Sequence, residues 1–138
     1  MKFTYNWIKE FIPRLRMPAE ELAERLTMAG LEIKSAEKRG ADVVFEAEIT
    51  SNRPDWLSVI GIAREVAALT GISIVPSKKA AAKQKEDPVF KGFSLPIENA
   101  AECPLYNASI VTGVTIAPSP AWLKERLEAI GCRSINNV

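Results

Sequence analysis

The residues from 43 to 50 alternate between apolar and mostly polar side chains. The apolar side of this alternation consists of Val43, Phe45, Ala47 and Ile49. A period of two residues is typical of a strand with one buried face, so we predict a strand over 42–50. An earlier strand is expected over 31–36, and the basic turn at 38–40 would join the two. The pattern therefore predicts a β-hairpin.

Three segments have apolar residues at helical spacing and suitable residues at their ends. The first helix is predicted over 5–12, with Thr4 as its N-cap. The second is predicted over 18–30, because proline is favoured at the first helical residue and glycine at the end of a helix. The third is predicted over 56–70, before Gly71. It has the longest apolar stripe, so we expect it to be the best packed.

The composition divides the chain into three parts. Residues 1–75 are predicted to form a small α+β domain in which the helices cover the hairpin. Residues 76–92 contain few large apolar side chains and are predicted to be a linker. Residues 93–138 are predicted to begin a β-rich domain. Its predicted elements are strands over 93–97 and 106–116 and a helix over 119–130.

The charge balance limits the kinds of partner that this chain can bind. Its 138 residues include 18 Lys and Arg against 17 Asp and Glu, a formal net charge of +1. Proteins that bind nucleic acid by neutralising many phosphates are strongly basic, so any RNA contact must be local. A strip of lysines in the linker is one candidate, but acidic residues follow it and no aromatic residue interrupts it, which favours a solvated linker. These lysines are Lys78, Lys79, Lys83 and Lys85.

No stretch is apolar and long enough to cross a membrane, and the start of the chain lacks a signal-peptide pattern. We therefore expect a cytoplasmic protein that does not contact membranes. Cys103 and Cys132 are expected to remain free thiols, as is usual for isolated cysteines in such a chain.

The residue types present exclude several reaction classes for this chain. It has no His and two Cys, so it can form neither a common zinc site nor a nucleophile activated by His. No glycine pattern of a known phosphate-binding loop occurs. Glu46, Glu48 and Asp55 are the one group of carboxylates that we expect to be close, and a solvated strand face explains them better than a metal site. We therefore assign no catalytic, cofactor-binding or metal-binding residue.

The junction between the 42–50 strand and the third helix has the densest group of polar residues. Asn52, Arg53 and Asp55 surround Pro54, which fixes its own φ and favours an extended conformation at the residue before it. One interpretation is a turn with a helix cap and a surface ion pair. The other is a contact with RNA or with another domain. The three polar residues are candidates for that contact.

Tryptophans could stack on RNA bases, but large aromatic side chains more often pack in a core or an interface. Trp7, Trp56 and Trp122 each lie in or next to an apolar helical stripe. We therefore predict that all three are packing residues.

Six blocks of the sequence, in the same order, resemble the N-terminal region of bacterial phenylalanine–tRNA ligase β subunits. They are KFTYNWIKEF at 2–11, LAERLTMAGLE at 22–32, TSNRPDWLS at 50–58, GIAREVAALTG at 61–71, PSPAWL at 118–123 and INNV at 135–138. The resemblance implies a winged-helix-like fold for 1–75 and places 93–138 at the start of the editing region. Asn136 and Asn137 would then lie at the entrance to that region, as further candidate contacts.

The resemblance also implies partners that the residues alone do not. They are the ligase α subunit, the remaining domains of the β subunit and, in the full assembly, tRNA; the whole ligase would use ATP and magnesium, and this chain would bind no cofactor. Most bacterial relatives carry a tRNA-binding OB-fold domain inserted before the strand at 42. Here residues 38–41 bridge that gap directly.

Three functions follow as hypotheses. The first is a structural and docking segment of the ligase, without catalytic activity of its own. The alternative is a freestanding RNA- or protein-binding module derived from that subunit. A hydrolase of mischarged tRNA is the third, and it is disfavoured because the chain has no His and no room for a complete editing pocket.

Overall fold

The computed structural model describes residues 1–75, 93–108 and 110–138. The predicted linker over 76–92, with its lysine strip, lies outside the described residues. The elements, in chain order, are β1 (Lys2–Thr4), α1 (Tyr5–Phe11), α2 (Ala19–Met28), β2 (Ile33–Arg39), β3 (Asp42–Ala47), a 3₁₀ segment (Pro54–Leu57), α3 (Val59–Thr70) and α4 (Ala121–Ala129). These helices and strands confirm the predicted α+β class.

The strands form an antiparallel sheet in the order β1-β3-β2. The predicted hairpin of β2 and β3 is confirmed, with Gly40 at φ +60° in its turn. β1 is an element that the sequence pattern does not predict. It pairs with the other edge of β3, so that Phe3 lies opposite Phe45 with 5.1 Å between the ring centres.

The first two helices lie close to their predicted positions. α1 follows Thr4, whose Oγ1 accepts a hydrogen bond of 3.2 Å from the backbone N of Trp7. α2 begins directly after Pro18, one residue later than predicted, and Gly30 follows it at φ +102°. α3 begins at Val59, because the residues before it form the separate 3₁₀ segment.

One core lies between the sheet and the first three helices. Its fully buried large side chains are Phe3, Ile8, Ile12, Leu15, Leu22, Leu26, Leu31, Phe45, Trp56, Ile62 and Val66. They come from β1, α1, α2, β3, the 3₁₀ segment, α3 and the loops beside them, whereas β2 contributes none. Removal of this apolar surface from water is the main force that holds the unit together.

Residues 93–108 and 110–138 contain a helix, α4, and no strand. The predicted helix is confirmed, but the strands expected over 93–97 and 106–116 are wrong for the residues described. A strand is stabilised by hydrogen bonds to a neighbouring strand, and among the described residues neither stretch joins a sheet. Residues 106–116 are rich in β-branched residues, which favours a strand but does not supply a partner.

Candidate functional site

The junction between β3 and α3 is a tight polypeptide turn. The backbone N of Arg53 donates to the carbonyl oxygen of Thr50 at 3.0 Å, and the backbone N of Trp56 donates to that of Arg53 at 3.1 Å. Pro54 then opens the 3₁₀ segment. Hydrogen bonds therefore fix the backbone of Arg53 at both its N and its carbonyl oxygen. This geometry places its side chain beside Asp55 and Glu65.

Arg53 forms two ion pairs at once. Its Nε and Nη2 donate to the two carboxylate oxygens of Asp55 at 3.0 and 2.8 Å. Nη2 also donates to Oε2 of Glu65, on α3, at 2.7 Å. A paired contact of this kind uses the planar fork of the guanidinium and fixes its orientation.

Trp56 joins the same cluster from the core side. The residue is 2% exposed, and its Nε1 donates to Oε2 of Glu65 at 3.1 Å. The guanidinium of Arg53 lies over the ring, 3.5 Å from its centre, where the electron-rich face attracts a cation. We call Arg53, Asp55, Trp56 and Glu65 the junction cluster.

The electrostatics of the cluster favour the charged form of both ions. Hydrogen bonds to Asp55 and then to Glu65 raise the pKa of Arg53 above its ordinary value. The hydrogen bond from Arg53, supported by its charge, lowers the pKa of Asp55 despite partial desolvation. Opposite charges in contact shift both pKa values in the direction that keeps the pair ionised.

The start of α3 is built against this turn. Ser58 is the N-cap, and its Oγ accepts a hydrogen bond of 3.1 Å from the backbone N of Gly61. A Cβ atom at Gly61 would overlap with the carbonyl oxygen of Asp55. Glycine at this position therefore allows the helix to approach the turn closely.

The junction has the turn, the helix cap and the ion pair of the first interpretation. Ser58 supplies the cap, and Asp55 pairs with Arg53. Asn52 is exposed beside them. Contact between these residues and RNA or another domain stays a prediction.

Asn137 fastens the end of the chain to the stretch before α4. Its side-chain amide accepts from the backbone N of Ala117 at 2.9 Å and donates to the carbonyl oxygen of Thr115 at 3.1 Å. Its own backbone N donates to the oxygen of Ala117 at 3.0 Å. Asn136 makes a local turn by accepting from the backbone N of Val138. Among the described residues, no hydrogen bond or ion pair joins these asparagines to the junction cluster.

The carboxylates weighed as an acid–base or metal group have separate cationic partners. Glu46 pairs with Lys2 across β1 and β3 at 3.6 Å, and Glu48 pairs with Lys34. The hydrogen bond and charge of Lys34 lower the pKa of Glu48, and Glu48 raises the pKa of Lys34 in the same way. Asp55, the third of the group, is the partner of Arg53.

The tryptophans differ in their surroundings. Trp56 is buried, and Trp7 packs against the core while partly exposed, as predicted. Trp122 is 60% exposed, so it does not pack in the core of this chain, and packing in an interface stays a prediction. Cys103 and Cys132 are free thiols, as expected.

The sequence analysis missed two residues that form ion pairs between separate elements. Glu65 lies beside the buried stripe of α3, and its position next to Val66 was a signal that a polar group borders the core. Arg126, on α4, pairs with Glu10 of α1. Nothing in a residue pattern indicates a contact between segments so far apart along the chain.

Helices able to span a bilayer do not occur in the part of the chain that the structure describes.

Residues 102–138 match the family model described as the B3/4 domain. No solved structure gives a significant match to the chain.

Curated relatives carry the name phenylalanine–tRNA ligase beta subunit. The protein of Rhodopirellula baltica is 34% identical over 139 residues, covering 100% of this chain and 20% of the relative. That of Geobacter sulfurreducens is 48% identical over 97 residues, covering 70% of this chain and 12% of the relative. That of Synechococcus sp. strain JA-3-3Ab is 42% identical over 134 residues, covering 95% and 14%.

The lengths of these alignments are informative. The alignment with the Rhodopirellula protein is 139 positions long and takes in the whole chain of 138 residues, so it leaves no space for a domain inserted between β2 and β3. The short hairpin turn is therefore shared by this relative. The chain spans one fifth or less of the length of these relatives. It is homologous to a portion of phenylalanine–tRNA ligase β subunits.

Proposed function

We propose that this chain is a structural and docking segment of a phenylalanine–tRNA ligase β subunit, and that it takes part in charging tRNA with phenylalanine as a piece of that assembly. The observation that carries the proposal is a contrast between the two halves of the chain. Residues 1–75 enclose a packed core, whereas the described residues of 93–138 leave most of their large apolar side chains exposed.

We propose that these exposed side chains are buried by another part of the assembly. They are Phe93, Leu95, Ile97, Leu105, Tyr106, Ile110, Val111, Val114, Ile116, Trp122, Ile135 and Val138. A group of exposed apolar residues of this size is typical of an interaction surface. The curated relatives continue well beyond the matched portion, so we assign this burial to the remaining domains of the β subunit. The match to a B3/4 domain over 102–138 supports this assignment.

The junction cluster supports a structural role for the first half. The guanidinium of Arg53 is held by two carboxylates, Asp55 and Glu65, and by the Trp56 ring. A phosphate would have to compete with both carboxylates for this cation. We therefore propose that the cluster holds α3 against the sheet, so that residues 1–75 act as a rigid support.

In this proposal the ligase α subunit and tRNA are partners of the assembly in the cytoplasm, and ATP and magnesium bind to other parts of it.

Reconstitution in trans tests the docking role. The 138-residue chain is mixed with a ligase α subunit and a Rhodopirellula baltica β subunit that lacks the matched portion. We expect the chain to co-elute with them in size-exclusion chromatography. Val111→Asp, at a side chain that is 77% exposed, should weaken this association by placing a charge in the apolar surface. Ala68→Asp, on the exposed side of α3, is the matched control and should leave it unchanged.

Failure to co-elute would contradict the proposal. Salt-dependent binding to tRNA, measured by filter retention, then distinguishes the alternative. A dissociation constant tighter than about 1 µM at physiological salt would favour the freestanding RNA-binding module.

A further inference from the structure

One contact between α4 and the first half of the chain is made by Arg126. The guanidinium of Arg126 pairs with the carboxylate of Glu10, on α1. It also lies 4.8 Å from the centre of the Trp7 ring and 5.8 Å from the centre of the Trp122 ring. The Arg126 side chain is 28% exposed, so these interactions are partly shielded from water and are stronger than they would be on an open surface.

A second contact lies in the last turn of the same helix. Nη1 of Arg39, at the end of β2, donates to the backbone oxygen of Glu128 at 2.6 Å. The last carbonyl groups of a helix have no partner within the helix and carry partial negative charge, so a cation is favourable there. Arg39 thus holds the end of α4 at the hairpin turn, while Arg126, within α4, holds the helix against α1.

α4 has few other means of attachment. None of its residues is buried, so little apolar area holds it in place. A cleft of about 540 Å³ remains between α4, α1 and the hairpin turn, with Trp7, Arg39, Asp42, Trp122 and Arg126 among its lining residues. An element held by a few polar and cation–π contacts belongs to the part of a protein that opens most easily.

We propose that α4 binds reversibly to residues 1–75 through Arg126 and so joins them to residues 93–138. We call α4 in this role the clasp. When it is closed, the two halves of the chain form one body. When it is open, the ring of Trp7 and the cation of Arg126, which are partly exposed in the closed state, become fully accessible. This inference is independent of the proposed function, because it concerns contacts within the chain alone.

A spin label on Cys132 tests the clasp. Cys132 is exposed, and its backbone N donates to the oxygen of Leu127 at the end of α4. Cys103→Ser leaves it as the single thiol for labelling. In the closed state the unpaired electron should broaden the NMR signals of the amides of Trp7 and Gly40. Arg126→Ala should remove this broadening. Lys124→Ala is the matched control, because Lys124 pairs with Glu128 within the helix, and it should retain the broadening.

Two results would overturn the proposal. One is the absence of broadening in the labelled parent chain, which would mean that the halves are independent. The other is broadening that persists unchanged in Arg126→Ala while the signals of β3 show that residues 1–75 are folded. Should Arg126→Ala fail to fold, Glu10→Gln removes the same ion pair from the other side. Unchanged broadening in that variant would also overturn the proposal.

Discussion

The guanidinium of Arg53 lies 3.5 Å from the centre of the Trp56 ring, and both side chains donate to the same carboxylate oxygen of Glu65. Arg53 comes from the turn after β3, Trp56 from the 3₁₀ segment and Glu65 from α3. One acceptor therefore ties three consecutive parts of the chain together at the edge of the core.

Glu65 should be important for stability because its removal leaves the Nε1 of Trp56 without an acceptor and leaves Arg53 with Asp55 alone. We expect Glu65→Ala to lower the free energy of unfolding by about 1–3 kcal/mol, the usual cost of unpaired donors in a largely buried place. Its side chain is 19% exposed. Urea denaturation followed by circular dichroism measures the change. Glu21→Ala breaks an exposed pair with Arg25 on α2 and should cost less than about 0.5 kcal/mol. Equal effects of the two substitutions would contradict this account of the cluster.

The junction cluster should make stability depend on pH in the acid range. Arg53 lowers the pKa of Asp55 below its ordinary value of 3.8. The stabilisation is therefore complete above pH 3.8 and is lost as the pH falls through the lowered pKa of the folded state.

In Arg53→Ala we expect the pKa of Asp55 to rise toward 3.8, measured by carbon-13 NMR of its carboxyl group. Lys34→Ala should change the titration of Glu48 and leave that of Asp55 unaltered, since Lys34 pairs with Glu48. An Asp55 pKa that stays low in Arg53→Ala would show that the pair is not its cause.

At position 61 we expect glycine to give a more stable chain than alanine, the opposite of the usual ranking in helices. Alanine is favoured over glycine by about 1 kcal/mol within a helix, yet a Cβ here would overlap with the backbone of Asp55. We expect Gly61→Ala to destabilise the chain by about 1–3 kcal/mol, as overpacking does. In the exposed control Ala68→Gly the ordinary ranking should hold, with a loss of about 1 kcal/mol. A more stable Gly61→Ala variant would show that the turn can move aside.

Asn137 should protect the amide of Ala117 from exchange with solvent, because its side chain accepts the hydrogen bond from that amide. We expect Asn137→Ala to speed hydrogen exchange at Ala117, measured by NMR. Asn136→Ala removes only the local turn at Val138 and should leave that rate unchanged. Exchange at Ala117 that is equally fast in the parent chain would mean that this bond does not persist in solution.

The sequence was most informative where a local signal decides the structure. Thr4 caps α1 and Pro18 precedes α2, because caps and prolines act within one turn of a helix. The alternation from Val43 to Ala47 predicted β3 for the same reason. β1 was missed because three residues are too short to show a period, and its pairing with β3 alone makes it a strand.

The candidate site was predicted in part. Asn52, Arg53 and Asp55 were identified as one turn, and two of them form the ion pair. Glu65 and the Trp56 ring were not assigned to it, because a helix must first fold back on the turn to bring them there. The two strands expected within 93–138 were wrong for the described residues, because the local composition favours a strand but no neighbouring strand is present there to pair with it.

Aminoacylation in the reconstituted assembly tests the central claim most directly. Phenylalanine, ATP and tRNA are supplied to the α subunit and the shortened Rhodopirellula baltica β subunit, with and without the 138-residue chain, and charged tRNA is counted. We predict that the chain alone neither charges tRNA nor releases tyrosine from mischarged tRNA, and that its addition raises the charging rate of the shortened ligase. Turnover of an aminoacyl ester by the chain alone, abolished by a single substitution, would contradict the account.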